Sequence, residues 1–357
     1  MLRSADARHQ VWVITNNYDH GSSTPLVQGS EGWINRGNAR VLYLNRGIRS
    51  LSKGIAKSLS KRPEVVYLNG IFYPRLSISF QLLSRLKGGT LLVIAPRGEL
   101  DPGALALKSS KKRLYLRLFK VARMDKRVIW HASTELEKTH IQNVMGKKSL
   151  VIVRENDTML PALADRPAAR NLGSLRLVFM SRLSRKKGLH VLLAALKGVK
   201  QTVTLDVIGP EEDLQYVSEC HDLAAQCPEN VEIRFRGPVA SERMRETLAQ
   251  YDLMAFPTAG ENFGHVIAES LSVGCPVLCS DKTPWSDRLR AGAGQIVDSV
   301  VPADWAAAID RYAETGAEGW FESRLAAAEG YEEWMRTNDA PHFFELIEKQ
   351  LEDRNPA

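Results

Sequence analysis

Residues 253–276 read Leu253-Met254-Ala255-Phe256-Pro257-Thr258-Ala259-Gly260-Glu261-Asn262-Phe263-Gly264-His265-Val266-Ile267-Ala268-Glu269-Ser270-Leu271-Ser272-Val273-Gly274-Cys275-Pro276. The apolar run 253–256 has the length and composition of a buried strand, and a second such run, 276–279, closes the stretch. Strand, glycine-bearing loop, helix and strand make an α/β unit. Gly260 and Gly264 flank Glu261, Asn262 and Phe263 and let the backbone approach a ligand closely. A helix opening near His265 would offer free N–H groups and a positive dipole end, which suits a phosphate.

Seven residues separate Glu261 from Glu269, so one carboxylate lies in the loop and the other about one turn into the helix. At 1.5 Å per residue they can be up to roughly 12 Å apart. A hydrolase acid/nucleophile pair needs roughly 5–10 Å, so two contacts on one extended ligand fit the spacing better. The plainer alternative is an exposed loop glutamate and a surface helix glutamate, both common.

Outward from this stretch the same alternation continues. Apolar segments lie at 11–15, 39–44, 65–68, 91–95, 128–131 and 150–153, with helix-like stretches at 77–87 and 105–124 between them. The second half repeats the pattern with strands at 175–180, 204–208 and 231–235 and a helix at 189–196. Such alternation argues an α/β fold with parallel sheets covered on both faces. Ligands of these sheets bind at the carboxyl ends of the strands. In the first half those ends are Asn69-Gly70, Pro96-Arg97-Gly98 and Ser133-Thr134-Glu135. In the second, Ser181-Arg182-Leu183-Ser184-Arg185-Lys186-Lys187-Gly188 sets four cations between a strand and a helix N-terminus, an anion site if it is more than a solvated loop.

The Pro- and Ala-rich passage 160–170 reads as a linker, which divides the chain into 1–165, 172–330 and a last helical region within 331–357. In that region Trp334, Phe343 and Phe344 are expected to pack rather than bind. With 357 residues, 44% of them apolar, the chain has material for two domains. No apolar run reaches 18 residues and residues 1–10 are polar, so the expectation is a cytoplasmic chain, soluble or peripheral to a membrane. Cys220, Cys227, Cys275 and Cys279 have neither zinc spacing nor a disulfide pattern. No G-x-G-x-x-G opens the second half, which argues against hydride transfer with NAD.

The net charge of +7 hides an uneven division. Residues 1–150 hold 26 Lys/Arg against 9 Asp/Glu and the rest 22 against 32, so the two parts are near +17 and −10. The densest basic stretch, 108–127, reads as a helix with Leu114, Leu118 and Val121 on one face, packed on its own domain while the charges meet an anionic surface. No nucleic-acid motif or aromatic platform accompanies the charge, so nucleic acid is not an expected partner.

Gly260-Glu261-Asn262-Phe263-Gly264 through Glu269 to Gly274-Cys275-Pro276-Val277 resembles the E-x7-E signature of retaining glycosyltransferases of family 4. Pro96-Arg97-Gly98, followed by Glu99-Leu100-Asp101-Pro102, resembles a subgroup of that family acting on exopolysaccharide or cell-surface glycans. The resemblance implies the GT-B fold, two Rossmann-like doubly wound parallel-sheet domains facing a cleft. It implies that Glu261 contacts the donor sugar, Glu269 the ribose hydroxyls, and Arg182 with Lys187 the diphosphate of a nucleoside diphosphate sugar, UDP or GDP. Gly209, Arg236 and Gly237 fall where the family contacts the base, and Arg97, Gly98 and Asn69 where it touches sugar or acceptor. No metal or other cofactor is implied, since two side chains take that role, and no side-chain nucleophile is assigned. Arg182 and Lys187 are both expected to be exposed.

The chain departs from the family in three places. Many relatives carry a His in the region of Arg97, and an Asn-Gly turn where this chain has Glu155-Asn156-Asp157. The segment 11–15 matches the second strand, with the first strand and its acceptor loop absent, unless 11–15 is itself the first strand and Tyr18-Asp19-His20-Gly21-Ser22 its loop. A transferase acting on a glycan or lipid-linked acceptor in polysaccharide biosynthesis is the reading that follows. A non-catalytic nucleotide-sugar-binding or partner subunit is the other, motivated by that absent strand.

Overall fold

A computed structural model of the chain describes residues 9–18, 23–29, 32–73, 79–80, 90–106, 109–126, 128–167, 173–338 and 341–352. The chain divides into two compact units, Met1–Asp157 with Ala340–Ala357, and Thr158–Asp339. The sequence reading places its boundaries at 165 and 330.

In the first unit β1 (Val11–Asn16) is followed by a hairpin of β2 (Ile34–Arg36) and β3 (Ala39–Leu44), and β3 pairs in parallel with β1. Helix α1 (Ile48–Leu59) lies on β3 through Gly54, where a Cβ would stand 2.5 Å from Leu44 Cδ2. A second, parallel sheet holds β4 (Val65–Asn69), β5 (Leu91–Ala95), β6 (Val128–Ala132) and β7 (Val151–Val153) in that order. Its helices are α2 (Pro102–Ala106), α3 (Ser109–Val121) and α4 (Glu135–Met145).

Alternate residues of the second sheet serve opposite faces. Leu92, Ile94 and Trp130 share a core with Leu116, Phe119, Ile141 and Met145, while Leu91, Val93 and Ile129 meet Phe343 and Ile347. Burial on both faces is why these strands read as unbroken apolar runs. The two sheets are separate ladders among the described residues, although Ile14 of β1 packs on the core that contains Leu68. Among the described residues β1 pairs on its β3 side.

Two expected elements of this unit differ. The described part of the helix expected at 105–124 is α2 and α3, and α2 starts early because Asp101 Oδ1 accepts from the N–H groups of Gly103 and Ala104 and Pro102 occupies the first turn. A Schellman turn with Arg123 at φ 53° then ends α3, Met124 N donating to Phe119 O. The helix expected at 77–87, and residues 19–22 of the alternative acceptor loop, lie almost wholly outside the described residues.

The second unit is one six-stranded parallel sheet of order β10-β9-β8-β11-β12-β13, with β8 (Leu175–Met180), β9 (Val203–Ile208), β10 (Val231–Gly237), β11 (Leu253–Phe256), β12 (Val277–Ser280) and β13 (Gly294–Val297). Helices α5 (Leu189–Leu196), α6 (Leu214–Ala224), α7 (His265–Leu271), α8 (Pro302–Ala313) and α9 (Gly316–Thr337) surround it. From β8 the chain winds outward to β10, then returns to β11 and winds the other way. The loops after β8 and β11 therefore leave the sheet side by side at its switch point, where such sheets bind ligands.

The helical region expected at 331–351 is broken. Helix α9 ends at Thr337, and α10 (Phe343–Glu352) begins after Pro341. Its aromatics do pack, but in different cores: Trp334 in the second unit and Phe343 in the first.

Candidate active site

Two glycines set the switch-point loops close against their neighbours. Gly209, at the end of β9, has φ 151°, and a Cβ there would lie 1.8 Å from Ser181 O. Gly188 has φ 81°, and its Cβ would lie 1.9 Å from Pro257 O. Backbone thus runs against backbone, and Ala259 N donates to Lys186 O at 2.8 Å. Only glycine permits this approach.

The closeness of the loops pairs two of the expected site residues. Lys187 Nζ donates to Glu261 Oε1 at 2.5 Å, with side chains only 15% and 11% exposed, and Thr258 Oγ1 donates to the same oxygen at 3.2 Å. Glu261 N is held by Lys282 O at 3.0 Å. The expectation that Lys187 is exposed is therefore corrected, because a cation on this loop is drawn into the adjoining loop by the nearest carboxylate. Arg182 is 61% exposed and meets Glu212 at 3.2 Å on the surface. Arg185 pairs with Glu219 and stacks over Tyr216.

Glu269 lies in the second turn of α7, and its Oε2 is buried with no hydrogen-bond partner among the described residues. Burial raises its pKa. A buried acceptor without a donor suits a ligand hydroxyl. Gly260 and Gly264 take φ 159° and 84°, Gly264 as the residue before α7, and Asn262 between them is half-buried. Phe263 is turned into the core against Trp285 and Trp334, its carbonyl accepting from Trp285 Nε1 at 2.7 Å. Arg236 Nε meets Asp206 Oδ2 at 3.2 Å, an oxygen that also accepts from Tyr251 Oη at 2.7 Å. Gly237 follows with φ 71°.

An ionised Glu269 whose buried Oε2 has no donor among the described residues costs stability in the free protein. A raised carboxyl pKa means that the folded state holds the proton more tightly. The associated stability is present below the unfolded value of 4.5 and is lost as pH rises through the folded pKa. Glu269→Gln should thus raise Tm at pH 7 while weakening nucleotide binding. Calorimetry with and without nucleotide checks both signs; a Tm below the parent's would mean that the carboxylate has a partner.

The carboxyl ends of β4 to β7 in the first unit carry a second polar cluster. Arg97, at φ 54°, donates from Nε to Asn69 Oδ1 at 3.0 Å, from Nη2 to Tyr67 Oη at 2.8 Å, and from Nη1 to Asn156 Oδ1. Tyr67 Oη lies 2.7 Å from His131 Nδ1, whose Nε2 lies 2.9 Å from Arg154 O. A carbonyl only accepts, so Nε2 carries the proton, Nδ1 accepts from Tyr67, and Tyr67 accepts from Arg97. Glu137 fixes the neighbouring loops, taking bonds from Gly98 N, Ser133 N and Ser133 Oγ, each at 2.7 Å. Burial lowers the His131 pKa to about 4 and raises that of Tyr67 to about 12.

Residues 164–329 match the family of glycosyl transferases group 1. The group 1 region takes in both switch-point loops. Among curated proteins, the chain is 38% identical over 96 residues to a D-inositol 3-phosphate glycosyltransferase of Nocardioides sp. (strain ATCC BAA-499 / JS614), covering 27% of this chain and 20% of the relative. It is 32% identical over 148 residues to a phosphatidyl-myo-inositol mannosyltransferase of Mycobacterium leprae (strain TN), covering 37% and 38%. The chain thus spans about a fifth to two fifths of the length of these relatives. Among solved structures, Anabaena Alr3699/HepE in complex with UDP and glucose aligns with TM-score 0.66 at 19% identity over 88% of this chain and 86% of that one. Sucrose-phosphate synthase from Thermosynechococcus elongatus aligns with TM-score 0.75 at 16% identity over 98% and 90%. The fold is α/β with two parallel-sheet domains of the GT-B class.

The structure brings Lys187, Glu261 and Gly260 into one loop pair, with Arg182 earlier in the loop that carries Lys187 and turned to Glu212, and Arg97, Gly98 and Asn69 into the first unit's cluster. Tyr67, His131 and Glu137 are absent from the sequence reading. For Glu137 a signal exists, the capping-box spacing Thr134-Glu135-Leu136-Glu137, with Thr134 Oγ1 accepting from Glu137 N at 3.1 Å. For Tyr67 and His131 there is none, since both sit inside apolar strands.

The first unit should lose stability in mild acid. His131 is neutral when buried, so its contribution is complete above the unfolded value of 6.5 and is lost as pH falls toward about 4. A displacement of that size is worth roughly 3 kcal/mol. Urea unfolding at several pH values should show the loss, and His131→Gln should flatten it; an unchanged slope in that variant would assign the acid sensitivity elsewhere.

Proposed function

We propose that the chain is a retaining glycosyltransferase that moves a sugar from a nucleoside diphosphate sugar, UDP or GDP, to a glycan or lipid-linked acceptor in polysaccharide biosynthesis. The observation that carries this is the switch point of the second unit. There Lys187 and Glu261 meet between two loops, Arg182 stands exposed in the loop that carries Lys187, and Glu269 offers a buried oxygen without a donor among the described residues. In this reading Arg182 and Lys187 hold the diphosphate, Glu261 faces the sugar, and Glu269 accepts from the ribose hydroxyls. Gly260, Asn262, Gly264 and the backbone of Phe263 line the donor, with Gly209, Arg236 and Gly237 on the side of the base. Similar proteins support it: Anabaena Alr3699/HepE has been solved with UDP-glucose, and the curated relatives are glycosyl- and mannosyltransferases.

The reaction follows from where charge develops. As the bond from sugar to diphosphate breaks, negative charge grows on the leaving group, and two preplaced cations stabilise it by several kcal/mol. Lys187 reaches that charge by exchanging Glu261 for phosphate, which leaves the Glu261 carboxylate to the sugar. The leaving phosphate takes the acceptor proton on the same face, so configuration is retained and no side-chain nucleophile is needed. Arg97, positioned by Asn69, Asn156 and Tyr67 next to Gly98, is assigned to sugar or acceptor contact.

Thermal shift with UDP-, GDP- and ADP-sugars, followed by transfer assays with and without a chelator, tests the reading. One nucleotide should raise Tm, and turnover should survive the chelator; no shift with any donor would sink it. The separate ladders of the first unit favour a second reading, a non-catalytic nucleotide-sugar-binding partner subunit. A donor-induced shift without hydrolysis or transfer would select it.

A further inference from the structure

Helix α3 buries one stripe and exposes another. Leu116 and Phe119 are buried in the first unit's core, with Tyr115 packed beside them. Leu114, Leu118 and Val121 are 58%, 59% and 74% exposed. The sequence expectation that this second stripe packs on its own domain is therefore corrected. A helix lying on a sheet can bury only one stripe, and here the bulkier one, with Phe119 against Trp130, takes the core.

The exposed stripe is continuous and framed by cations. At about 100° per residue, Leu118 and Val121 lie within about 40° of Leu114, and Lys111 and Arg117 stand about 60° to either side. Both are exposed, as is Lys120. Residues 102–124 contain seven Lys/Arg and no Asp or Glu. Three aliphatic side chains on a convex helix, without Trp or an exposed Tyr, are unlike the aromatic-rich centre of a protein interface. An apolar stripe flanked by basic residues is the pattern of a helix that lies in a membrane interface.

We propose that α3 docks the first unit on an anionic bilayer. Leu114, Leu118 and Val121 enter the boundary between headgroups and acyl chains, while Lys111, Arg117 and Lys120 meet lipid phosphates. The charge near +17 of residues 1–150 draws the chain to the surface, and the stripe retains it there. This inference stands on the helix alone and does not depend on the reaction proposed above.

Flotation of the full chain with vesicles of phosphatidylcholine alone, and of phosphatidylcholine mixed with phosphatidylglycerol, is the test. The parent should float with the anionic vesicles and fall away as salt rises. Leu114→Ser with Leu118→Ser, both exposed positions, should lower partitioning at least tenfold at every salt concentration. Lys111→Gln with Arg117→Gln should lower it about tenfold and flatten the salt dependence. Equal flotation on both vesicles, or a serine variant that binds like the parent, overturns the proposal. No flotation on either also overturns it, and would direct the patch to an acidic protein.

Discussion

Lys187→Ala is expected to lower sugar transfer by two to three orders of magnitude and to destabilise the second unit as well. The catalytic loss is that of a cation removed from developing charge, typically about 10²–10³ in rate. The loss of stability comes from Glu261, whose 11% exposed carboxylate would keep Thr258 Oγ1 but lose its ammonium partner. Removing one member of a buried pair costs roughly 3–5 kcal/mol, and the residual exposure here reduces that to about 1–3 kcal/mol. The double variant Lys187→Ala/Glu261→Ala should regain most of the stability and none of the activity. Urea unfolding and transfer assays on the four proteins of this cycle separate the two effects. If the double variant were as unstable as the sum of the singles, the pair would be uncoupled; if Lys187→Ala turned over like the parent, the diphosphate would be held elsewhere. Arg182→Ala, at an exposed position, should cost activity without stability.

Gly209→Ala should be the most destabilising single substitution at the switch point. Its Cβ would fall 1.8 Å from Ser181 O and 2.6 Å from Ser181 C, so two strands' ends would have to part. The clash is with backbone, which has no rotamer to change, and a cost of about 4 kcal/mol or more is expected. For a domain of this size that is a fall in Tm of about 10 °C. Nucleotide binding should fall with it, because the loop carrying Arg182 starts at Ser181. Gly237→Ala is the control: φ is 71° but nothing lies within 4 Å of its Cβ. Only the backbone strain remains there, about 1 kcal/mol. Calorimetry on both decides the matter, and equal losses would mean that φ rather than close approach is what glycine supplies at Gly209.

The chain's local sequence determined its strands, because parallel strands buried on both faces must be apolar throughout. Leu91–Ala95 and Leu253–Phe256 are therefore legible from composition alone, and Leu175–Met180 nearly so, Arg176 being its one charged residue. The glycines and cations that follow them are legible too, since a loop that receives an anion needs both within a few residues. Short β2 and β13 escaped, being three and four residues long with polar or glycine members. Tertiary structure decided whatever depended on a choice between partners far apart in the chain. Lys187 and Glu261 are 74 residues apart, and their pairing waits on the order β8-β11 that puts their loops side by side. The chain of bonds from Arg97 through Tyr67 to His131 likewise joins three strands that no local pattern aligns. Helix α3 shows the reason most plainly: its sequence offers two apolar stripes of helical spacing. Only the shape of the core around Trp130 determines that Leu116 and Phe119 go in and that Leu114, Leu118 and Val121 stay out.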